Sequence, residues 1–361
     1  MVEPRQRFQV LDGLRGVAAL AVVLFHLGRW TNRDLLFEHG YLAVDFFFCL
    51  SGFVMAHAYE DRLAKRLTLR EFARLRLVRL WPMIALSMCL GAAYGVAKVV
   101  MNSPGADTIA GVTMCLVLGL LLIPRIWQAH ESYLDRVFPL NVAAWSLFFE
   151  LVANLLWAAT ARWLSSRILF GVAGVTGAAM LAVGWSHGDF EVGANLQTFW
   201  LGFPRVFFSF TLGLLVYRVH ASGRSVLRAP AWLLSPLLLA VLAIPEFKGQ
   251  AAAELLAISL VFPLIVLIGA GEPDRAGAPG ALWRFSGEVS YPLYALHAPL
   301  WFLVSRGLEI GDIEISLSVL PIFAAGVVVG SWAALKLFDE PARRWLGKLS
   351  RRAAARVTAA I

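Results

Sequence analysis

The sequence predicts an all-α integral membrane protein, a single bundle of about ten transmembrane helices, on three observations. The first is composition. Of 361 residues, 59% are hydrophobic and 16% are charged, with a mean hydropathy of +0.69, against about 25% charged residues in soluble domains. A water-soluble chain this apolar would expose large greasy patches and aggregate. The second is the recurrence of apolar stretches near the length of about 20 residues that a helix needs to cross a bilayer. The third is the placement of Lys and Arg in alternate connections, as the positive-inside rule describes. The net charge of +8 and pI near 9.7 therefore do not point to nucleic acid.

Apolar segments occupy 10–29, 41–58, 82–100, 109–124, 142–162, 168–186, 198–217, 231–246, 251–270, 287–305 and 315–337. The first follows Arg5 and Arg7, lacks a small-residue cleavage site and is expected to stay as a span. The 59–80 connection carries Arg62, Lys65, Arg66, Arg70, Arg74, Arg76 and Arg79, and the tail beyond 338 carries Arg343, Arg344, Lys348, Arg351, Arg352 and Arg356. Both read as cytoplasmic, as does the N-terminus. Two inside ends need an even number of crossings, so one of the eleven segments should not cross. The weakest is 109–124, which is short and ends at Pro124, and it reads as re-entrant or interfacial. Removing it puts Arg162, Arg167, Arg218, Arg224 and Arg228 inside and leaves Asp189 and Glu191 outside. The expected domains are a membrane unit over 1–345 and a basic cytoplasmic tail over 346–361. Gly91 and Gly95, and Gly171, Gly174 and Gly177, have the spacing of close helix packing. Cys49, Cys89 and Cys115 lie in apolar surroundings and read as free thiols with no metal-like spacing.

Ionisable groups inside spans are costly and usually face a bundle interior or cavity. The first span holds Asp12, Arg15 and His26. Arg15 and His26 are eleven positions apart, which returns to nearly the same helix face roughly 16 Å farther along. A neutral imidazole there can serve as a general base; equally, Arg15 can snorkel and His26 cap a neighbour. Asp45, near the outer end of the second span, can orient that imidazole or cap its own helix. Arg76 and Arg79 lie three apart and suit phosphate, though such a run also anchors to anionic headgroups. Glu150 opens the fifth span with Trp145 and can act as a second acid/base group or bind a hydroxyl; Arg205 in the seventh is a candidate partner, and the two can equally form a purely structural pair. Tyr294 and His297 share a face of the tenth, either touching substrate or satisfying each other. No phosphate-cradling loop, HExxH, GxSxG or Cys/His cluster is present, so no metal is expected.

Five stretches in order complete the pattern: LDGLRGVAALAVVLFH at 11–26, VDFFFCLSGF at 44–53, RLVRLWP at 76–82, NVAAWSLFFE at 141–150 and SYPLYALH at 290–297. Together with the closing Asp339-Glu340-Pro341-Ala342-Arg343, they resemble the acyltransferase 3 family of membrane O-acyltransferases. The resemblance runs from residue 8 to about 345 and implies ten crossings with both ends in the cytoplasm. It implies acylation, most often acetylation, of carbohydrates such as lipopolysaccharide, exopolysaccharide or lipid-linked sugars in the inner membrane, with acyl-CoA, most often acetyl-CoA, as donor. The family's Arg-x10-His pattern falls on Arg15 and His26, its Arg-x-x-Arg on Arg76 and Arg79, and its acidic position on Glu150. Leu151 and Val152 follow where relatives often show a second polar pair. Many relatives carry an SGNH-type domain that is not seen here, so a second transfer step would need a separate periplasmic partner.

On this resemblance Arg15, Arg76 and Arg79 are expected to hold the donor. His26, with Asp45 or Glu150, performs the chemistry, and Trp145, Arg205, Tyr294 and His297 meet the glycan acceptor among membrane lipids. A transporter or flippase of polar lipid-linked sugars is the rival reading of the same buried charges. The acceptor and the oligomeric state are not legible in the sequence.

Overall fold

The computed structural model describes residues 8–33, 37–127, 135–223, 227–274 and 277–359. Expectations that rest on Arg5, Arg7 and Arg224, and on the basic side chains beyond 349, lie outside the described residues. Among those described, the secondary structure is helical apart from an isolated bridge between Arg136 and Asn195. Eight helices among them are long and apolar enough to cross a membrane, by length and composition.

The local signals explain where helices begin and stop. Helix α1 (Gln9–Thr31) ends on Asn32, whose left-handed conformation lets its N–H reach the last carbonyls. Helix α2 (Ala43–Lys65) follows a short 3-10 turn. Helix α3 (Leu69–Val100) starts on a capping box, in which the Thr68 hydroxyl accepts from the Glu71 N–H and the Glu71 carboxylate accepts from the Thr68 N–H. Helix α4 (Ile109–Leu120) is 12 residues long. Helices α5 (Ala144–Thr160), α6 (Ser166–His187) and α7 (Gly202–Ala221) follow, α6 closing on Gly188 at φ 84°.

Helix α8 (Ala231–Leu242) is another 12-residue helix. Helices α9 (Gln250–Leu256) and α10 (Phe262–Gly271) are joined by a π-helical turn over Ala257–Val261. Helix α11 (Ala278–Ile310) runs for 33 residues through Pro292 and Pro299. Helices α12 (Val319–Ala334) and α13 (Glu340–Ala359) are joined by a second π-helical turn, Leu335–Asp339.

Two expectations change. The 231–246 segment was counted as a crossing and 109–124 was not, yet α8 and α4 have the same 12 residues. At 1.5 Å per residue each spans about 18 Å, short of a hydrocarbon core of about 30 Å. Length therefore does not separate them. The glycine expectation also divides. Gly91 of α3 packs against the Leu140 carbonyl and Gly95 against Val112 of α4, but Gly171 and Gly174 meet nothing within 4 Å. They lie on α6, where 17% of the apolar window is buried, whereas 78% is buried for α2. Helix α6 is a rim helix and α2 a central one.

Helix α1 packs along α11, and α2 along α7. At the second contact Gly52 faces the Phe210 carbonyl and Gly213 faces the Cys49 carbonyl, so the two backbones touch. A Cβ at either position would displace one helix, which is how small residues set close crossings in a membrane. Phe8 at the start of α1 and Arg343 on α13 line the same cavity. The beginning of the first helix and the end of the twelfth are thereby brought to one end of the bundle.

Candidate active site

A cavity of about 620 Å³ opens at that end, between α1, α2, α11 and the π-helical turn that leads into α13. Its polar lining comes from Asp12, Arg15, His57, Arg79, Arg284, Glu288, Asp339, Glu340, Arg343 and Arg344. Arg15, Leu50, Val54, Arg79 and Tyr291 also line a second cavity of about 240 Å³. That inner cavity continues to Ser51, Arg76, Ser146, Glu150, Ser290 and Tyr294. The shared residues form the wall between the two cavities, which follow one another from the mouth into the bundle.

Arg15 stands at the join. Its Nε donates to Ser290 Oγ at 2.8 Å and its Nη2 to the Gly287 carbonyl at 2.7 Å, with Asp12 3.1 Å away. Arg76 and Arg79 lie about 60° apart around α3 and both line the inner cavity, but their partners differ. Arg76 is buried and donates to Glu150 Oε1 at 3.0 Å, an oxygen that also accepts from Ser51 at 2.8 Å. Arg79 is exposed to the cavity and forms no hydrogen bond or ion pair among the described residues. The π-helical turn carries buried Asp339, which ion-pairs with Arg343 and so holds that guanidinium at the mouth. Departures of this kind from α-helical winding are frequent at functional sites.

The inner cavity reaches Tyr294, whose hydroxyl lies 2.6 Å from Ser146 Oγ. One helical turn on, His297 is fully buried and stacks on His26 with ring centroids 5.2 Å apart and planes 23° apart. His26 stacks in turn on Trp30 at 4.9 Å and 11°. Asn141 fastens this turn of α11 by donating to the Ala295 carbonyl at 2.9 Å and to Ser87 Oγ at 3.0 Å. Arg15 and His26, on one face of α1, thus both meet α11.

The other predicted residues form a separate cluster. Asp45 does not meet the His26 imidazole. Its carboxylate takes Arg205 Nε at 3.0 Å and Nη2 at 2.7 Å, together with Ser209 at 3.1 Å. Arg205 also donates to the carbonyls of Val192 and Tyr41, and both members of the pair are 0–1% exposed. The expected Glu150–Arg205 pair is therefore corrected: α7 turns Arg205 toward α2, and Glu150 goes to Arg76. Trp145 is buried, with Arg205 5.4 Å above its ring and Gly193 against its edge.

Sequence reasoning missed the extension of this cluster. Tyr41 donates to Glu254 at 2.9 Å, the Phe190 N–H donates to the same carboxylate at 2.9 Å, and His39 lies 3.4 Å from it. Glu254 was visible as a carboxylate inside an apolar segment. Trp30 was visible at four residues from His26, the spacing of neighbours on a helix.

The geometry is that of a helical membrane bundle with a charged cavity at one end and paired imidazoles deeper in, one turn of α11 beyond Tyr294. The family profile for the acyltransferase domain matches residues 8–336, so the chain belongs to the acyltransferase 3 family and is an acyltransferase. Protein 2 in the picA locus of Rhizobium radiobacter is 40% identical over 168 residues, 44% of this chain and 84% of that protein. Acyltransferase MdmB of Streptomyces mycarofaciens is 26% identical over 330 residues, 83% of this chain and 79% of that protein. A Staphylococcus aureus protein named as a candidate O-acetyltransferase is 28% identical over 215 residues, 53% of this chain and 33% of that larger protein. No solved structure matches the chain.

Proposed function

We propose that this enzyme moves an acetyl group from acetyl-CoA on the cytoplasmic side of the inner membrane to a hydroxyl of a cell-envelope or secreted carbohydrate. The observation that carries the reading is the succession of two adjoining cavities from Arg79, unpaired in the wide one, to Tyr294 beside the His26–His297 stack. An unpaired guanidinium suits the phosphates of the donor, with Arg15, Arg284 and Arg343 around it. The rise of roughly 16 Å along α1 between Arg15 and His26 matches an extended pantetheine arm. The mouth, lined by Phe8 of the first helix and Arg343 of the last, then belongs to the cytoplasmic side, which needs an even number of crossings between them.

At the inner end the acceptor hydroxyl attacks the thioester carbonyl, and an imidazole of the pair receives its proton. Glu150 holds Arg76 and Ser51 at the wall of the path, and Tyr294 with Ser146 offers hydroxyls to the incoming groups. Asp45, Arg205 and Trp145 brace the far end of the bundle. The names of the relatives from Streptomyces and Staphylococcus support acyl and acetyl transfer.

The deciding experiment incubates membranes containing the protein with acetyl-CoA labelled in its acetyl group. Label is expected in the glycan of the cell envelope; its absence from glycan, while a known acetyltransferase control incorporates it, rejects the reading.

A further inference from the structure

Beyond the inner cavity, one turn of α11 from Tyr294, lie two stacked imidazoles whose surroundings differ. His297 Nδ1 lies 2.8 Å from the Tyr294 carbonyl and 3.3 Å from the Leu293 carbonyl. A carbonyl oxygen only accepts, so Nδ1 carries the proton and Nε2 presents a bare lone pair. That Nε2 is buried and has no hydrogen-bond partner. Buried polar atoms are nearly always paired, which makes this nitrogen an acceptor to which the protein offers no donor. The ring plane is held by the stack on His26 and by Trp30 at 5.9 Å and 22°. His26 makes no hydrogen bond among the described residues, so no protein group selects its tautomer.

A general base works best with one nitrogen open to the substrate and the other oriented by an acceptor that stabilises the imidazolium as it forms. His297 has its Nδ1 oriented by the Tyr294 carbonyl and a partnerless Nε2 for an incoming hydroxyl to meet, whereas no acceptor orients His26. We infer that His297 is the proton-accepting catalytic residue of the transfer, and that His26 beside it donates to the thioester oxygen. The inference rests on the acyl-transfer reading above and divides the labour within it.

The acceptor O–H donates to His297 Nε2. As its oxygen bonds to the thioester carbon, the proton passes to Nε2 and the carbonyl electron pair moves to the oxygen facing His26. Collapse of the tetrahedral carbon breaks the C–S bond. The departing thiolate takes the proton from His297 Nε2, leaving an ester and a free thiol. No other reactant is consumed. Two stacked imidazoles do not both carry charge without mutual repulsion, so a single proton on His297 leaves His26 neutral and able to donate.

The test compares initial rates of label transfer from acetyl-CoA to native glycan in membranes carrying the full-length protein. His297→Gln keeps an amide acceptor near the Nε2 position but takes no proton. Its rate is expected to fall on the order of 10²–10⁴-fold and to lose the decline of rate in acid that protonation of a histidine base causes. His26→Gln is expected to lose on the order of 10²–10³-fold, as when an oxyanion donor is removed, while keeping that acid decline. Arg29 and Arg136, the charged groups acting on His26, stay charged throughout. Binding of labelled acetyl-CoA reports that each variant is folded, and His297→Asn, which also lacks Nε2, decides the matter if the Gln variant does not bind donor.

Wild-type rates in the His297 variants overturn the inference. So does an acid decline that vanishes in His26→Gln and persists in His297→Gln. Wild-type membranes that transfer no label defeat the acyl-transfer reading itself. Labelled wild type with active His297 variants defeats only the assignment of the base.

Discussion

Two clusters of buried charge sit toward opposite ends of α2, and they do opposite work. Toward its start, Asp45, Arg205, Ser209, Tyr41, Glu254 and His39 close on one another and on backbone carbonyls. Toward its end, Val54 and His57 border a cavity in which Arg79 and Arg284 form no ion pair among the described residues. The residue types are the same. What separates them is how complete the pairing is: Asp12–Arg15 and Asp339–Arg343 pair at the cavity too, but Arg79 and Arg284 beside them are left over, and an unsatisfied charge beside open space is a place for a ligand. Intramembrane charge alone therefore does not locate chemistry.

Four measurements test that contrast, in order of decreasing effect. The largest is expected at the end of the path. His26→Ala should lower acyl transfer by on the order of 10²–10⁴-fold while the amount of protein in the membrane stays constant; labelled acetyl-CoA and an immunoblot read both. Normal glycan acetylation in this variant would sink the site.

The brace should respond in stability and not in chemistry. Arg205→Met leaves Asp45 buried without its partner and should cost about 3–5 kcal/mol, seen as a lower unfolding midpoint in detergent. Asp45→Leu added to Arg205→Met should recover most of that loss, because an apolar pair carries no desolvation penalty. A double variant no more stable than the single one would mean that the cluster does more than brace.

The mouth should respond in binding. Arg79→Ala removes one charge-assisted contact of about 1.5–3 kcal/mol, so the KM for acetyl-CoA should rise roughly tenfold or more with kcat little changed. An unchanged KM would make Arg79 a headgroup anchor.

The smallest effect is a pH dependence of the brace. Burial is the largest influence on His39 and opposes its charge, but Glu254 and the Ile244 carbonyl together outweigh it, so its pKa is raised above the ordinary value. A raised imidazole value contributes stability fully below about pH 6.5, the unfolded value, and loses it as pH rises through the folded value. The midpoint of the wild type minus that of His39→Gln should be largest in acid and shrink toward alkaline pH. A difference that is flat across that range would show that Glu254 does not hold the protonated ring.

Much of the site was legible before any coordinates. Arg15 and His26 were readable as one face of one helix because α-helical periodicity is local. Arg79 and Glu150 were readable as charges in apolar surroundings. Their partners were not. The sequence offered Arg205 as a partner for Glu150, and only the rotation of α3 and α7 about their axes gave it Arg76 instead. His297 was visible as a neighbour of Tyr294, but not that its Nε2 would be left open while its Nδ1 was held.

The sequence by itself determined the membrane-bundle class, most of the long apolar helices, the family and the residues from which a site could be drawn. These follow from composition, from the helical repeat and from ordered motifs, all of which are properties of short stretches of chain. Tertiary structure decided which charges were spent on each other and which were left facing a cavity. That choice depends on how helices far apart in sequence are turned toward one another, as at the backbone contact of Gly52 and Gly213. No pattern within one helix encodes the rotation of another.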